Sequence, residues 1–343
     1  MSFVAKVYHK PNSIRKLYHE FMSPLVSIIT PSFNHEKFIS QCIRSVINQK
    51  YKNWEMIIID DYSSDQTYKM TLDYAKWDKR IKPIRHSKRW GIERLHETYN
   101  QALNLTRGKI IAILEGDDFW PDYKLKLQIK DFSNPKVVLS YGDCVATDSI
   151  GNSVQVRSYV GTDAGELNNL PIGSIINEFM NLNFFLEPST VLIRKSALLN
   201  IKGFRNNRYY PSFVDIPTFC ELALQGEFSY SHNILGYYRR HQNSSWYKFA
   251  IGTKAMGREE MLNFFIDFVK RNKKILSGNG IWIGPDTLSY QLHYINYKKK
   301  RQKISILLNN IAFGNKKNTA RVGRQIIKNP TERTLYKFFS FLA

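Results

Sequence analysis

The chain has 343 residues, of which 43% are hydrophobic, and a formal net charge of +21. This length and hydrophobic content allow one large folded domain with an extension, and they argue against a globally disordered chain. We expect neither a membrane-spanning helix nor a signal peptide, because we find no apolar run long enough to span a bilayer and no signal-peptide h-region.

The first predicted elements form a βαβ unit. Residues 26–30 read as a short buried strand that ends at Pro31, and a polar loop over 32–36 follows. Apolar side chains then recur with helical spacing over 38–47, and residues 54–59 give a second buried strand. Such a unit is almost always right-handed and has parallel strands. The loops after the two strands could therefore reach one ligand.

A run of acids follows the next predicted strand. Residues 109–114, KIIAIL, are typical of a strand buried on both faces of a parallel sheet, and Glu115, Asp117 and Asp118 come directly after it. Open α/β sheets bind ligands at the carboxyl ends of their strands. Adjacent carboxylates repel each other, so a hard divalent metal carrying phosphate oxygens is a natural partner. Alternatively, Asp118 caps a helix over 123–132.

Five segments are similar to those of one enzyme family. They are VSIITPSFN, IIIDDYSSDQT, EGDDFWPDYKLKLQ, the Val214-Asp215 pair and YYRRHQNSSW, within about residues 24–247. In this order and spacing the chain resembles the inverting glycosyltransferases of family 2. The resemblance implies an α/β fold of the GT-A type, with a Rossmann-like, mixed but mostly parallel sheet flanked by helices.

The resemblance also implies an activity. A hexosyltransferase or N-acetylhexosaminyltransferase of this family would move a sugar from a nucleotide-diphosphate donor, with a UDP-sugar favoured, to a hydroxyl group. The acceptor would be a glycan or a polyprenyl-diphosphate-linked oligosaccharide in the assembly of a bacterial surface polysaccharide such as O-antigen or capsule. A single displacement at the anomeric carbon would invert its configuration.

Carried over residue by residue, the resemblance assigns the nucleotide-binding residues. Asp61 would accept a hydrogen bond from the imino N–H of uracil or thymine, and Phe33 would lie near the base. Pro31 would shape the loop, and Asp117 would contact the ribose hydroxyls. Arg94 could reach the diphosphate. The alternatives are a core aromatic residue for Phe33 and a surface arginine for Arg94.

The metal and catalytic residues follow in the same way. Asp118 and His241 would hold Mg²⁺ or Mn²⁺ at the diphosphate, where the developing charge of the leaving group must be neutralised. Asp215 would be the general base for the acceptor hydroxyl, a role that a pKa raised by partial burial would suit. Its alternative is the N-cap of the helix that follows. Glu187, before a predicted strand over 190–193, could line the acceptor cleft.

Three positions depart from the family pattern. Glu115 stands where many relatives carry aspartate, Val214 where they usually carry a further acid, and Tyr99 where they often carry arginine. Other classes of protein fit less well. Phosphate-loop and GxGxxG motifs are absent, which disfavours a kinase or a nicotinamide enzyme. The absence of a Gln-x-x-Arg-Trp motif disfavours a processive synthase. A non-catalytic sugar-nucleotide-binding or scaffold protein remains the alternative, although Asp118 and Asp215 are both retained.

The extent of the resemblance implies a catalytic domain over 24–247, which leaves an N-terminal extension over 1–23 and a basic, mainly helical extension over 248–343. Residues 251–343 contain 18 Lys and Arg against five Asp and Glu, or +13 of the total charge. We found no zinc-finger, RNP-like or clear helix-turn-helix pattern, so we expect no nucleic-acid partner.

The extension also carries two apolar stripes with basic neighbours. They lie over 304–311 and 335–342 and have helical spacing. This pattern suits a helix in an anionic membrane surface, and the alternative is packing on the catalytic domain. The three cysteines are scattered and lack CxxC spacing, which is typical of reduced thiols. We therefore expect a cytoplasmic protein that is peripheral at the inner face of the cell membrane.

Overall fold

The computed structural model of the chain describes residues 23–157, 167–180, 186–207, 213–242, 244 and 256–281. These residues fall into two units, one with residues 23–244 and 271–281 and the other with residues 256–270. The predicted division into three parts stays a prediction, and the two apolar stripes lie outside the described residues. No helix in the described ranges has the length and apolarity needed to cross a bilayer.

Helices and strands alternate along the first half of the chain. The strands are β1 Val26–Ser32, β2 Trp54–Asp60, β3 Ile81–Arg85, β4 Ile110–Ile113, β5 Val137–Thr147, β6 Ser153–Arg157, β7 Leu192–Arg194 and β8 Glu227–Arg239. The helices are α1 Ile39–Ile47, α2 Thr67–Trp77, α3 Leu95–Leu105, α4 Lys124–Gln128, α5 Ile175–Met180, α6 Lys195–Asn200, α7 Asp215–Ala223 and α8 Met256–Gly278. Short 3₁₀ turns cover Ile92–Arg94, Ile129–Ser133 and Pro188–Thr190.

The strands form one mixed sheet. Its order is β3-β2-β1-β4-β7-β5-β6, and β8 pairs with β5. Strands β1 to β4 run parallel, whereas β7 runs antiparallel to β4 and β5. The carboxyl ends of β1, β2 and β4 therefore lie side by side at one edge. The predicted α/β class with a mostly parallel sheet flanked by helices is confirmed.

The core explains the unbroken apolar runs of the central strands. Every residue of β1 and β2 is buried, because helices cover both faces of the sheet. Helix α1 contributes Ile39, Cys42, Ile43 and Val46 to this core, each with no exposed surface. The predicted helical spacing over 38–47 is confirmed.

Three predicted boundaries are wrong. Strand β1 continues through Pro31 to Ser32, and the Pro31 carbonyl accepts a hydrogen bond from the Gly116 N–H at 3.0 Å. Helix α4 has Tyr123 as its N-cap, so Asp118 does not cap it. Strand β7 begins only at Leu192, because a 3₁₀ turn occupies the residues before it.

A buried carboxylate crosslinks the sheet at the opposite edge. Glu55, on β2, has a side chain that is only 1% exposed. It accepts hydrogen bonds from Ser27 Oγ and Lys82 Nζ, both at 2.8 Å, and from the Arg107 backbone and side chain at 2.6 and 2.9 Å. Burial opposes its ionisation, but these donors outweigh burial and lower the pKa of Glu55 to about 2.

We expect Glu55→Gln to lower the free energy of unfolding at pH 7 by about 1.5–3 kcal/mol, the range for hydrogen bonds to a charged group. Because the pKa of Glu55 in the folded protein lies below 4.5, the usual value for a glutamate, this stabilisation is present above pH 4.5 and is lost as the pH falls toward 2. Urea unfolding at several pH values measures both effects. Asp73→Asn, which removes an exposed pair with Lys76, is the control and should change little. A constant difference between parent and Glu55→Gln from pH 7 to pH 2 would contradict the prediction.

Candidate active site

Backbone hydrogen bonds bring the loops after β1, β2 and β4 together. The acid loop, residues 115–118, is joined to β1 through the Gly116 N–H, and the Asp61 N–H donates to the Ser32 carbonyl at 2.9 Å. A Cβ atom at Gly116 would lie 2.8 Å from His35 Nδ1 and 2.9 Å from Ser32 Cβ. A residue without a side chain is therefore needed where these loops meet.

Two acids of the acid loop are held in environments that oppose their charge. The Tyr99 hydroxyl donates a hydrogen bond to Glu115 Oε1 at 2.9 Å. Burial, followed by the charge of Asp117, raises the pKa of Glu115 to about 7. Burial and the charges of Asp117 and Glu115 also raise the pKa of Asp118 well above its usual value. An added cation would therefore favour the ionised forms of these acids, because it would offset burial and the repulsion between the carboxylates.

Asp117 differs from its neighbours because two histidines face it. His241 Nε2 lies 3.0 Å from Asp117 Oδ2, and His35 Nε2 lies 3.7 Å from the same oxygen. Burial opposes ionisation of Asp117, but the two histidines outweigh burial and hold its pKa below the usual value. The structure therefore places the predicted metal ligand His241 beside the predicted ribose contact Asp117.

A buried arginine makes hydrogen bonds to the acid loop and to the segments around it. Arg239, the last residue of β8, is 1% exposed. Its guanidinium donates to the Asp117 carbonyl at 2.8 Å, to the Ser149 carbonyl at 3.0 Å and to Gln41 Oε1 at 2.6 Å. Its backbone N–H donates to Asp118 Oδ1 at 2.9 Å. This set of contacts, the Arg239 clamp, orients the acid loop while directing the guanidinium hydrogen bonds at neutral oxygens.

The carboxylate oxygens of the acid loop suit a hard divalent cation. Within the described part of the chain, no three His, Cys, Asp or Glu side chains are grouped as a ready-made metal centre. Mg²⁺, however, is commonly bound by one or two carboxylates together with substrate phosphates. The crowded carboxylates of the acid loop and the raised pKa of Asp118 favour such a cation. Asp118 would hold it, whereas His241, the other predicted ligand, contacts Asp117.

Asp215 approaches the acid loop from another element. It is the first residue of α7, and Val214 is the N-cap, so the predicted alternative of Asp215 as N-cap is wrong. Burial raises the pKa of Asp215, although hydrogen bonds from the first-turn backbone N–H groups oppose this rise. Asp215 is close enough to Glu115 and Tyr99 for its charge to raise the pKa of both groups.

Asp61 directly follows β2 and is surrounded by hydrogen-bond donors. Its Oδ1 accepts the Trp90 N–H at 2.7 Å and faces His86 Nδ1 at 2.8 Å. Its Oδ2 accepts the Gly91 N–H at 2.9 Å. Gly91 has a φ of +77°, a conformation that favours glycine. The loop after β3 is thus shaped around this carboxylate.

The other predicted nucleotide contacts flank Asp61. Phe33 is half-buried, and the Arg89 guanidinium lies 4.1 Å from the centre of its ring. The Arg94 guanidinium pairs with Glu97 at 2.6 and 2.8 Å and stacks on Trp90 at 4.1 Å. This pairing is consistent with the surface-arginine alternative for Arg94.

Glu187 lies just before the 3₁₀ turn Pro188–Thr190. Its carbonyl accepts the Thr190 N–H at 2.9 Å. Trp120, two residues after the acid loop, donates its ring N–H to the Ser189 carbonyl at 2.6 Å. The turn after Glu187 is therefore fixed to the segment that carries the acids.

Sequence reasoning missed several residues that organise the site. His35 could have been found, because it lies in the polar loop after β1. His86 follows β3, a strand that was not identified because Lys82 and Pro83 interrupt its apolar run. Pro83 is tolerated there because β3 is an edge strand. Gln41 gives no sequence signal.

Comparison with known proteins identifies the family. The model named Glycosyl transferase family 2 matches residues 27–202. The putative teichuronic acid biosynthesis glycosyltransferase TuaG of Bacillus subtilis is 38% identical over 107 residues, which cover 31% of this chain and 41% of TuaG. WfgD of Escherichia coli, a UDP-Glc:alpha-D-GlcNAc-diphosphoundecaprenol beta-1,3-glucosyltransferase, is 40% identical over 119 residues, covering 35% of this chain and 45% of WfgD. The chain thus spans less than half the length of either relative.

Solved structures share the fold. S. aureus TarS 1-349, in complex with UDP-GlcNAc, superposes with a TM-score of 0.54 at 19% identity, covering 71% of this chain and 66% of TarS. The mannosyltransferase PcManGT from Pyrobaculum calidifontis, in complex with GDP-Man and Mn²⁺, superposes with a TM-score of 0.51 at 15% identity. The match covers 93% of this chain and 85% of PcManGT. Both likenesses support the GT-A fold. Since the family model also matches just over half of the residues, the chain belongs to glycosyl transferase family 2.

Proposed function

We propose that this protein is an inverting glycosyltransferase that moves a sugar from a UDP-sugar to a hydroxyl of a glycan or lipid-linked acceptor. One observation carries the proposal: the carboxyl ends of β1, β2 and β4 gather Asp61 and the acid loop at one edge, and Asp215 approaches the acid loop from α7. A donor nucleotide and an acceptor hydroxyl would meet between these groups.

The relatives support a role in the assembly of a surface polysaccharide. TuaG is named for teichuronic acid biosynthesis, and the name of WfgD specifies a diphosphoundecaprenol-linked acceptor. An acceptor on a polyprenyl diphosphate would be reached at the inner face of the cell membrane. Peripheral attachment through the basic residues 248–343 is part of the proposal, and it rests on their charge and apolar spacing.

The proposed reaction is a single displacement. Asp215 takes the proton of the acceptor hydroxyl as that oxygen attacks the anomeric carbon. The bond from this carbon to the nucleoside diphosphate breaks on the opposite side, so the configuration inverts. The Arg239 clamp orients Asp117 and Asp118, and the two histidines face Asp117. A divalent cation, when bound at Asp118, would neutralise the charge that develops on the leaving group.

The environment of Asp61 supports a uridine donor. A carboxylate offers four acceptor positions, two on each oxygen. Trp90 and His86 occupy those of Oδ1, and Gly91 occupies one of Oδ2. A single position therefore remains. Uracil presents one imino N–H, whereas guanine presents two adjacent donors that require two free oxygens.

We expect Asp61→Ala to weaken UDP binding by about 1.5–3 kcal/mol, the range for a hydrogen bond to a charged group. Calorimetric titration with UDP measures this change. Glu93→Ala removes an exposed carboxylate from the same loop and is the control for a general change in charge. UDP binding by a folded Asp61→Ala variant that is as tight as in the parent would make Asp61 a purely structural residue.

The proposed activity is tested by presenting a panel of nucleotide sugars with Mg²⁺ or Mn²⁺ and a lipid-linked acceptor mixture. Release of nucleoside diphosphate is measured for each donor. We expect release from one or more UDP-sugars and its loss in excess EDTA. UDP binding without release from any donor would instead favour the alternative of a non-catalytic sugar-nucleotide-binding protein.

A further inference from the structure

A buried histidine links Asp61 to helix α3. The side chain of His86 is 1% exposed, and its Nδ1 lies 2.8 Å from Asp61 Oδ1. Its Nε2 lies 2.7 Å from Gln101 Oε1, on α3. The ring is stacked on Trp90 with a centroid distance of 3.8 Å and an interplanar angle of 21°. Contacts in the ring plane and on one face fix the orientation of the imidazole.

This arrangement controls which acceptor positions Asp61 can offer. The backbone N–H groups of Trp90 and Gly91 each bind one carboxylate oxygen and leave one position on each. His86 occupies the remaining position on Oδ1. Without His86, both oxygens of Asp61 would have one free position, which is the pattern that a pair of adjacent donors can use.

We propose that His86, held by Gln101, is a positioning residue that limits Asp61 to one acceptor position on Oδ2 and thereby sets the preference for uracil over guanine. This inference rests on the proposed function, since it concerns the base of the proposed donor. His86 acts through Asp61 and takes no part in the transfer step.

Two substitutions of His86 separate positioning from packing. His86→Leu keeps an apolar side chain beside Trp90 but removes both hydrogen bonds. His86→Asn retains an amide N–H that can replace Nδ1 toward Asp61. A third variant, Gln101→Leu, removes only the partner of Nε2 and leaves the histidine itself in place, so it provides a test if His86→Leu does not fold. Calorimetric affinities for UDP and GDP, and kcat and KM for the donor sugar, are measured for each variant.

We expect His86→Leu to narrow the ratio of UDP to GDP affinity at least ~10-fold, because guanine can then make a second hydrogen bond to the charged Asp61 carboxylate. UDP binding should also weaken, because His86 no longer orients Asp61. The KM for the donor should rise while kcat at saturating donor stays close to that of the parent. His86→Asn should recover most of the UDP affinity, and Gln101→Leu should change affinity in the same direction as His86→Leu but less.

The results also distinguish this inference from the proposed function. If folded His86→Leu or Gln101→Leu protein kept the parent's UDP affinity and its ratio of UDP to GDP affinity, the proposed role of His86 would be wrong. The proposed uridine donor would not be affected by this result. A fall in kcat with unchanged KM would also overturn it. A parent protein that binds no uridine nucleotide would overturn the uridine donor, and this inference with it.

Discussion

Asp215→Asn is expected to lower sugar transfer by ~10²–10⁴-fold, the usual contribution of a general base, while nucleotide affinity stays close to that of the parent. The proton that Asp215 takes belongs to the acceptor, so its loss should affect the transition state far more than donor binding. Asparagine keeps the size of the side chain and an oxygen for the first-turn N–H groups of α7. It cannot accept a proton at neutral pH.

Turnover and donor affinity should be measured on the same preparation, so that misfolding is not mistaken for a catalytic defect. Glu221→Gln, on the same helix, is a matched control that removes a carboxylate outside the proposed site. Near-normal turnover of Asp215→Asn would reject Asp215 as the base and turn attention to Glu115 or Glu187. An equal loss of binding and turnover would mean that Asp215 builds the site without transferring a proton.

The pH profile adds an independent measure of the same role. Only ionised Asp215 can take the acceptor proton. Because burial raises its pKa, transfer should begin to fall, as the solution is acidified, at a higher pH than for an ordinary aspartate. Glu115, with a pKa of about 7, titrates nearby and belongs to the same charged group of residues. The profile of the Glu115→Gln variant separates the two carboxylates.

Asp118→Asn is expected to reduce transfer roughly a thousandfold or more, because a bound cation contributes several kcal/mol of charge stabilisation. The sequence has no phosphate loop, so a bound cation would supply positive charge at the departing diphosphate. The asparagine Oδ1 can still accept the Arg239 backbone N–H, so the acid loop should keep its shape.

Transfer rates for this variant should be compared across a titration of Mg²⁺ and Mn²⁺. Asp122→Asn removes an exposed carboxylate, which pairs with Lys50 at 3.2 Å and lies close to the acid loop in sequence, and it should leave transfer unchanged. Full activity of the parent in excess EDTA would contradict the metal assignment. Full activity of Asp118→Asn with either metal would mean that other residues bind the cation.

Local sequence patterns predicted most of the sheet and the position of the acids. Strands β1 and β2 are buried on both faces, so they appear as continuous apolar runs. Helix α1 shows the spacing of a helix with one buried face. Acids directly after such strands must lie at the carboxyl edge of the sheet. The reasoning failed where a local signal was interrupted, as at Pro31, which does not end β1.

The organisation of the site could not be predicted, because it depends on contacts between distant parts of the chain. Gln41 and Arg239 are 198 positions apart in sequence and meet only after the sheet has formed. A lone histidine such as His86 carries no indication that a carboxylate and an amide will lie on either side of it. The pairing of His241 with Asp117, rather than with Asp118, is likewise a consequence of where β8 ends.

The Arg239 clamp also determines when the site can exist during synthesis of the protein. The Asp117 carbonyl and the Arg239 guanidinium are separated by 122 positions, so a ribosome that has just made the acid loop has yet to make its clamp. Until β8 is made, the crowded acids lack the backbone donor at Asp118 and the side chain that orients them. A growing chain would therefore complete the contacts of the acid loop only in one late step.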